Sequence, residues 1–228
     1  MMFDFSSPST IVGWVFLSLF LVASVMNLVF CYQENEKPRA ITKLFCLPLL
    51  GFAALCFEPA SWLIYLGCFL GAIGDFFLLK KKSRKWLFAG MVAFFLGHVC
   101  YISLVLYRIS LVGGLPPISW LWIALYALGL SGIVTFLVIK KSKDALISVA
   151  GSIYAVSLSG DSAVAIWALS AGAGPYYWLM LVGGLLFLSS DLVLTYTILG
   201  KDFPKRDFPI MLLYLLGQCF IVFGLLLA

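Results

Sequence analysis

Acidic residues inside apolar runs are the features of this sequence best suited to chemistry. Asp75 lies in "FLGAIGDFFLLKKK" and Asp191 lies in "LLFLSSDLVLT". A charged side chain at membrane depth costs at least about 2.5 to 3.5 kcal/mol, so each aspartate needs either a partner or a function. Two carboxylates that meet in a low dielectric tend to divide into one protonated and one ionised group, which suits general acid and general base catalysis. We therefore predict that Asp75 and Asp191 form a catalytic acid/base pair.

Further polar residues are predicted to lie at the same depth. Counting about 1.5 Å per residue from the helix ends places five of them, together with the aspartates, in one layer of the inner half of the bilayer: His98, Tyr101, Tyr154, Tyr214 and Gln218. Small residues one or two turns before the aspartates, at Gly71 and Gly184, indicate that both carboxylates face into the bundle. The alternative is that these groups only hydrogen-bond one another and fix helix register.

Two other charged residues receive structural predictions. Asp161, in "SLSGDSAVA", is expected near the outer interface, where its serines could solvate it. Lys43 is expected at the cytoplasmic end of the second helix, where it could cap a helix, extend its ammonium group to the interface or meet a headgroup phosphate.

Several catalytic classes do not fit the composition. The chain has one histidine, which excludes a zinc site built on three histidines, and its six cysteines are scattered without a C-x-x-C pair. No G-x-S-x-G nucleophile motif is present. We therefore predict chemistry by carboxylates, with no metal and no cofactor.

The elements that must position these residues are membrane helices. The chain is 63% hydrophobic and 11% charged, which is typical of an integral membrane protein. Apolar runs long enough to cross a bilayer predict an all-α polytopic bundle of about eight helices in a single domain over residues 1–228. The helices are predicted at 11–32, 41–57, 61–79, 86–107, 116–139, 145–169, 175–199 and 208–228, with the second the shortest.

Basic residues predict the orientation of this bundle. Of the 15 Lys and Arg residues, all but Arg108 fall in or beside the connections after helices 1, 3, 5 and 7. The positive-inside rule then predicts that both termini lie outside and that the basic loops are cytoplasmic, in a plasma membrane or a bacterial inner membrane. The net charge of +5 thus reflects topology, and the partner that it indicates is the lipid bilayer rather than nucleic acid.

The two halves of the chain share a weak pattern. Asp75 and Asp191 are 116 residues apart, and "FLGHVCYI" resembles "LLGQCFIV" 120 residues later. Four helices per unit would give a parallel 4+4 internal repeat, as in some transporters. A small-molecule or lipid transporter with an intramembrane carboxylate site is therefore the alternative to an enzyme, and a purely structural protein is a third possibility.

The polar motifs together resemble the YhhN-like lysoplasmalogenase family of multi-pass membrane proteins. The resemblance is carried by "LGAIGDFFLL", "FAGMVAFFLGHVCYI" and "GGLLFLSSDLVL", and more weakly by "SIYAVSLS" and "YLLGQ". It covers the chain from about Lys43 to Gln218. One departure is that Lys43 and Pro48 are five residues apart, where the family tends to have an adjacent Lys-Pro.

The resemblance implies hydrolysis of the vinyl-ether bond of lysoplasmalogens, which releases a fatty aldehyde and glycerophosphoethanolamine or glycerophosphocholine. The substrate partner would be a lysophospholipid. Protonation of the alkenyl carbon gives an oxocarbenium-like species, which a neighbouring carboxylate can stabilise, much as in glycoside hydrolysis. Asp75 and Asp191 would then be the catalytic residues, and five others would orient or bind the substrate: His98, Tyr101, Tyr154, Tyr214 and Gln218.

Overall fold

The protein is a bundle of long helices. The computed structural model describes residues 7–80, 84–113, 117–141, 145–198 and 202–228, and within these ranges its regular structure is entirely helical. A 3-10 turn over Pro59–Ser61 joins the second helix to the third. The α-helices are α1 (Pro8–Tyr32), α2 (Glu36–Phe57), α3 (Trp62–Leu78), α4 (Arg84–Leu111), α5 (Pro117–Lys141), α6 (Ala145–Ser170), α7 (Tyr177–Ile198) and α8 (Asp207–Leu227). The predicted all-α class is confirmed.

Six of these helices are long and apolar enough to cross a bilayer: α1, α2, α3, α4, α7 and α8. Large apolar side chains also stand exposed on the outside of the bundle, including Val22 and Val25 on α1 and Phe69 on α3. Such surfaces are solvated by lipid rather than by water. The chain is therefore a multi-pass membrane protein. The count of eight spanning helices and the 4+4 repeat stay predictions.

The start of α2 corrects the sequence analysis. The helix begins at Glu36, five residues before the predicted start, and its 22 residues make it longer than α3, which has 17. The apolar pattern missed the first turn because that turn is polar. Pro38 is tolerated there because the first N–H groups of a helix have no intrahelical acceptor. The ends of the other helices lie within four residues of their predicted positions.

Contacts among the described residues close the helices into a ring. Each of the pairs α1–α2, α2–α3, α3–α4, α6–α7 and α7–α8 packs together, α4 packs against α6, and α8 returns to contact α1 and α2. Helix α5 packs against α6. The ring makes α8 the most deeply buried of the six spans and directs polar residues from α2, α3, α4, α6, α7 and α8 inward.

The contact between α7 and α8 is made backbone to backbone. A Cβ atom built on Gly183 would lie 2.7 Å from the carbonyl oxygen of Gly217, and one on Gly217 would lie 2.8 Å from the amide nitrogen of Phe187. No side chain fits at such distances, so glycine is required for this approach. The close packing fixes Asp191 on α7 relative to Tyr214 and Gln218 on α8.

Candidate active site

Asp75 is the centre of a three-residue cluster. Its residue is fully buried, and the Lys43 Nζ atom lies 2.9 Å from one carboxylate oxygen, Oδ1. The Tyr214 hydroxyl donates a hydrogen bond of 2.5 Å to the other oxygen, Oδ2. The ammonium group also lies 5.5 Å from the centre of the Tyr214 ring. Helices α2, α3 and α8 thus supply one residue each to a charge-assisted network that offsets part of the cost of burying the Asp75 carboxylate.

Asp191 has a different set of neighbours. The Tyr154 hydroxyl on α6 donates a side-chain hydrogen bond to its carboxylate. Its Oδ2 atom is buried and has no hydrogen-bond partner among the described residues. Lys43, His98 and Asp75 all interact with Asp191 electrostatically. The two carboxylates therefore share one electrostatic environment, but only Asp75 has a cation in direct contact.

His98 is paired with Asp161, which changes the interpretation of that aspartate. The imidazole Nδ1 atom lies 2.5 Å from Asp161 Oδ2, and both residues are at most 1% exposed. The serines expected to solvate Asp161 instead donate to their own helix, Ser159 to the Ala155 carbonyl and Ser162 to the Ser159 carbonyl. The expected solvation of Asp161 by its serines is wrong, because the carboxylate packs inward against His98 on α4. Its depth near the outer interface stays a prediction. A carboxylate on Nδ1 orients the imidazole and fixes its tautomer.

Tyr101 and Gln218 extend this second cluster. The Tyr101 hydroxyl donates to Gln218 Oε1 at 3.2 Å and lies 3.4 Å from the Cys68 sulfur. The Tyr101 ring packs edge to face on His98 with centroids 5.9 Å apart, as their spacing of three residues on α4 predicts. All four side chains are buried. The phenol and the amide are therefore held in fixed positions beside the imidazole.

Aromatic rings join the two clusters. Phe187, one turn before Asp191, lies 4.6 Å from the His98 ring and 5.4 Å from the Tyr214 ring. Phe94, one turn before His98, lies about 6 Å from both Phe187 and Tyr214. These apolar rings lie between the Asp75 cluster and the His98 pair, and apolar surroundings strengthen electrostatic interactions.

The structure groups the predicted site residues into three neighbouring units. Asp75 lies with Tyr214, Asp191 with Tyr154, and His98 with Tyr101 and Gln218. No direct hydrogen bond joins Asp75 to Asp191 in the part of the chain that the structure describes. Whether these residues act on a substrate stays a prediction.

Sequence reasoning missed two members of the site. Lys43 was expected at the interface, but it lies seven residues into α2, about 10 Å from the helix start, and pairs with Asp75. Asp161 was assigned a peripheral role. The sequence could have indicated the role of Lys43, because a cation among apolar residues needs a counter-charge at membrane depth.

The buried side chains of this arrangement could act as a general acid and a general base on a substrate whose reacting group is uncharged or cationic. It offers one carboxylate paired with an ammonium, one carboxylate with a buried oxygen left over, and an oriented imidazole. Phenol and amide groups nearby can position a substrate by hydrogen bonds.

Comparison with known proteins identifies the family of the chain. Neither a curated protein nor a solved structure matches the chain significantly. The model of the YhhN family matches residues 38–225, which is most of the chain and includes every residue of the three units described above. The chain therefore belongs to the YhhN family.

Proposed function

We propose that the protein is a lysoplasmalogenase, which hydrolyses the vinyl-ether bond of a lysophospholipid to a fatty aldehyde and a glycerophospho-ethanolamine or glycerophosphocholine. The observation that carries this proposal is the pair of intramembrane carboxylates with unlike partners, Asp75 held by Lys43 and Tyr214, and Asp191 held by Tyr154. Membership of the YhhN family is consistent with it. A bilayer-embedded site also suits a substrate that reaches the protein from the membrane.

The partners of the two aspartates suggest separate roles. Lys43 stabilises the ionised form of Asp75, so Asp75 suits the base that also faces a developing cation. Asp191 has no such cation in direct contact among the described residues, so it suits the acid. Unlike surroundings of this kind are how one site supports an acid and a base at the same pH.

The reaction then proceeds in three steps. Asp191 gives its proton to the second carbon of the alkenyl chain, and the electron pair of the double bond forms the new C–H bond, which leaves an oxocarbenium ion at the first carbon. Water adds to that carbon while Asp75 accepts a proton from the water, which gives a hemiacetal. The hemiacetal releases its glycerol oxygen, which takes the hydroxyl proton, and the aldehyde forms. Return of the proton from Asp75 to Asp191 restores the starting state.

The remaining buried groups are assigned to positioning. The Tyr154 hydroxyl bonds to the Asp191 carboxyl and leaves its Oδ2 atom without a hydrogen-bond partner among the described residues. Tyr101 and Gln218, which are hydrogen-bonded to each other, and the oriented His98 are placed to bind the glycerol part of the substrate.

Aldehyde release by the purified protein tests this proposal. The substrate is a vinyl-ether lysophospholipid, and the matched control is the saturated alkyl-ether analogue, which cannot form an oxocarbenium ion by protonation. We expect aldehyde from the first and none from the second. A transporter with the same carboxylate site would release no aldehyde from either lipid but would move one of them across proteoliposome membranes, and that pair of results would replace the proposal.

A further inference from the structure

A charged pocket lies beside the candidate active site, between the turn that joins α1 to α2 and the residues that precede α8. Its volume is about 180 Å³, which is several times the roughly 30 Å³ that a water molecule occupies in the liquid. Basic side chains from Arg39, Lys205 and Arg206 line it. Acidic side chains also line it, from Glu34, Glu36, Asp202 and Asp207. A pocket with both signs of charge fits a ligand that carries both signs.

The pocket is held together by contacts between the two segments. Arg39 forms an ion pair with Asp207, and the backbone N–H of Lys205 donates to Glu34 Oε1 at 2.8 Å. Glu34 and Lys205 both have φ of 55°, a left-handed conformation that residues other than glycine rarely adopt. Because these two residues are joined by a hydrogen bond and both hold a rare conformation, the wall of the pocket that they form has a defined structure.

The position of the pocket relates it to the aspartate cluster. Arg39 lies one helical turn before Lys43 on α2, about 6 Å along the axis. Arg39 pairs with Asp207 at the start of α8, and the Lys43 ammonium group, which pairs with Asp75, also lies 5.5 Å from the centre of the Tyr214 ring on α8. In a lysophospholipid, five bonds separate the phosphorus from the ether oxygen, which is roughly 6 Å when the chain is extended and advances about 1.2 Å per bond. A phosphate beside Arg39 therefore places the ether group beside Lys43 and Asp75.

An apolar surface adjoins the pocket. Val25, Leu28 and Val29 of α1 form a groove with Tyr32 and Phe208. The Lys205 ammonium group lies 3.5 Å from the centre of the Tyr32 ring, which packs edge to face on Phe208, so charged and apolar surfaces meet at this ring. This junction matches an amphiphile at the membrane surface better than a soluble phosphate compound.

We propose that this pocket binds the headgroup of the substrate and selects a zwitterionic phosphate that carries a primary ammonium, the ethanolamine type. The inference rests on the proposed function, since it assigns the headgroup of that same lipid. The basic side chains would take the phosphate, and the carboxylates would accept the N–H groups of the ammonium, in exchange for the ion pairs that Arg39 forms with Asp207 and Arg206 forms with Asp202. A quaternary ammonium has no N–H donors and is usually bound by several aromatic faces, whereas Phe203 is the one aromatic residue among the described residues of the lining.

The test measures binding, so that it does not depend on hydrolysis. Purified protein in detergent is titrated with saturated alkyl-ether lysophospholipids that carry phosphoethanolamine, phosphocholine or a bare phosphate. Glycerophosphoethanolamine and inorganic phosphate serve as soluble probes. We expect the ethanolamine lipid to bind at least about tenfold more tightly than the other two lipids, which is the size of one charge-assisted hydrogen bond. We also expect both soluble probes to bind more weakly than the ethanolamine lipid.

Variants test whether the headgroup binds in the pocket or elsewhere on the surface. Glu36→Gln, at an exposed residue, and Asp202→Asn should each weaken binding of the ethanolamine lipid about tenfold while leaving the choline lipid nearly unchanged. Glu58→Gln, at the other end of α2, is the matched control. Equal affinity for the three lipids, or unchanged affinity in both pocket variants, would overturn the headgroup assignment. Loss of aldehyde release with headgroup selectivity intact would instead contradict only the proposed reaction.

Discussion

At the scale of single residues, the Lys43–Asp75 contact explains how a carboxylate survives inside an apolar bundle. Two buried charges that pair and hydrogen-bond can be tolerated, whereas one charge alone cannot. The Lys43 side chain is 18% exposed, so it retains contact with the surroundings while its ammonium group reaches Asp75. The second oxygen of Asp75 is satisfied by Tyr214, so that the ion pair and the phenol together fix the carboxylate.

Removal of the cation should therefore destabilise the protein. We expect Lys43→Met to lower the free energy of unfolding by about 2 to 3 kcal/mol, less than the ~3 to 5 kcal/mol of a fully buried pair because Lys43 is partly exposed. The same change in an Asp75→Asn background should cost under about 1 kcal/mol, since no charge is left unpaired. Unfolding in detergent provides the measurement, and equal costs in both backgrounds would show that the pair contributes little.

The His98–Asp161 pair leads to a second expectation. Asp161→Asn replaces the carboxylate on Nδ1 with an amide and should reduce aldehyde release at least about tenfold, because the imidazole loses the partner that orients it. Ser159→Ala is the matched control, since that hydroxyl bonds only to its own helix in the described structure. Normal turnover in Asp161→Asn, measured with folded protein, would return Asp161 to a packing role.

Much of the candidate site could be predicted from residue types alone, because charged and polar side chains are rare at membrane depth and need polar partners there. That rule identified Asp75, Asp191, His98 and Tyr214. It did not identify partners, because pairing depends on which helices are neighbours. Lys43 was misplaced because the second helix was predicted to begin at residue 41, which put Lys43 in its first turn, at the interface. Asp161 was misplaced because its neighbouring serines suggested that they would solvate it.

At the scale of elements, the glycine contact between α7 and α8 controls the distance of Asp191 on α7 from Tyr214 and Gln218 on α8. Gly217→Ala would place a Cβ atom 2.8 Å from the Phe187 amide nitrogen, so the helices must separate. We expect a loss of about 1 to 3 kcal/mol in stability, the usual cost of overpacking. Gly129→Ala on α5 is the control, because a Cβ there meets nothing within 4 Å. An equal rise of the unfolding temperature in both variants would mean that the helix propensity of alanine, and not packing, sets the effect.

Helix positions were predicted well from apolar length, since a bilayer demands about 20 apolar residues per span. The start of α2 was not predicted correctly, because its first turn carries Glu36, Lys37 and Arg39 and extends beyond the apolar run. That polar turn matters for the account, since Arg39 bonds to Asp207 and forms one wall of the charged pocket.

At the scale of the whole molecule, ring closure is what brings the site together. Contacts of α8 with α1 and α2 place Tyr214 beside Lys43 and Asp75, and the contact of α4 with α6 places His98 beside Asp161. Neither contact follows from the period or the length of the helices, because both join segments that are far apart or not consecutive in the chain.

Orientation in the membrane follows from the basic residues, and it stays a proposal. We expect the charged pocket and the end of α3 to face the cytoplasm, with both termini outside. In a background without native cysteines, Lys85→Cys should resist a membrane-impermeant maleimide in intact cells, and Ser110→Cys should react. The reverse labelling pattern would invert the topology and place the headgroup pocket in the outer leaflet.

The most direct test of the central claim is aldehyde release from a vinyl-ether lysophospholipid by purified Asp75→Asn and Asp191→Asn proteins. Each change keeps the shape of the side chain but removes its proton transfer, so we expect turnover to fall about 10² to 10⁴-fold in each, as for general acid and base groups. The double variant should lose little more than either single variant, because the two residues act together. Near-normal turnover in either folded variant, with Glu58→Gln as the matched control, would contradict the assignment of that aspartate to catalysis.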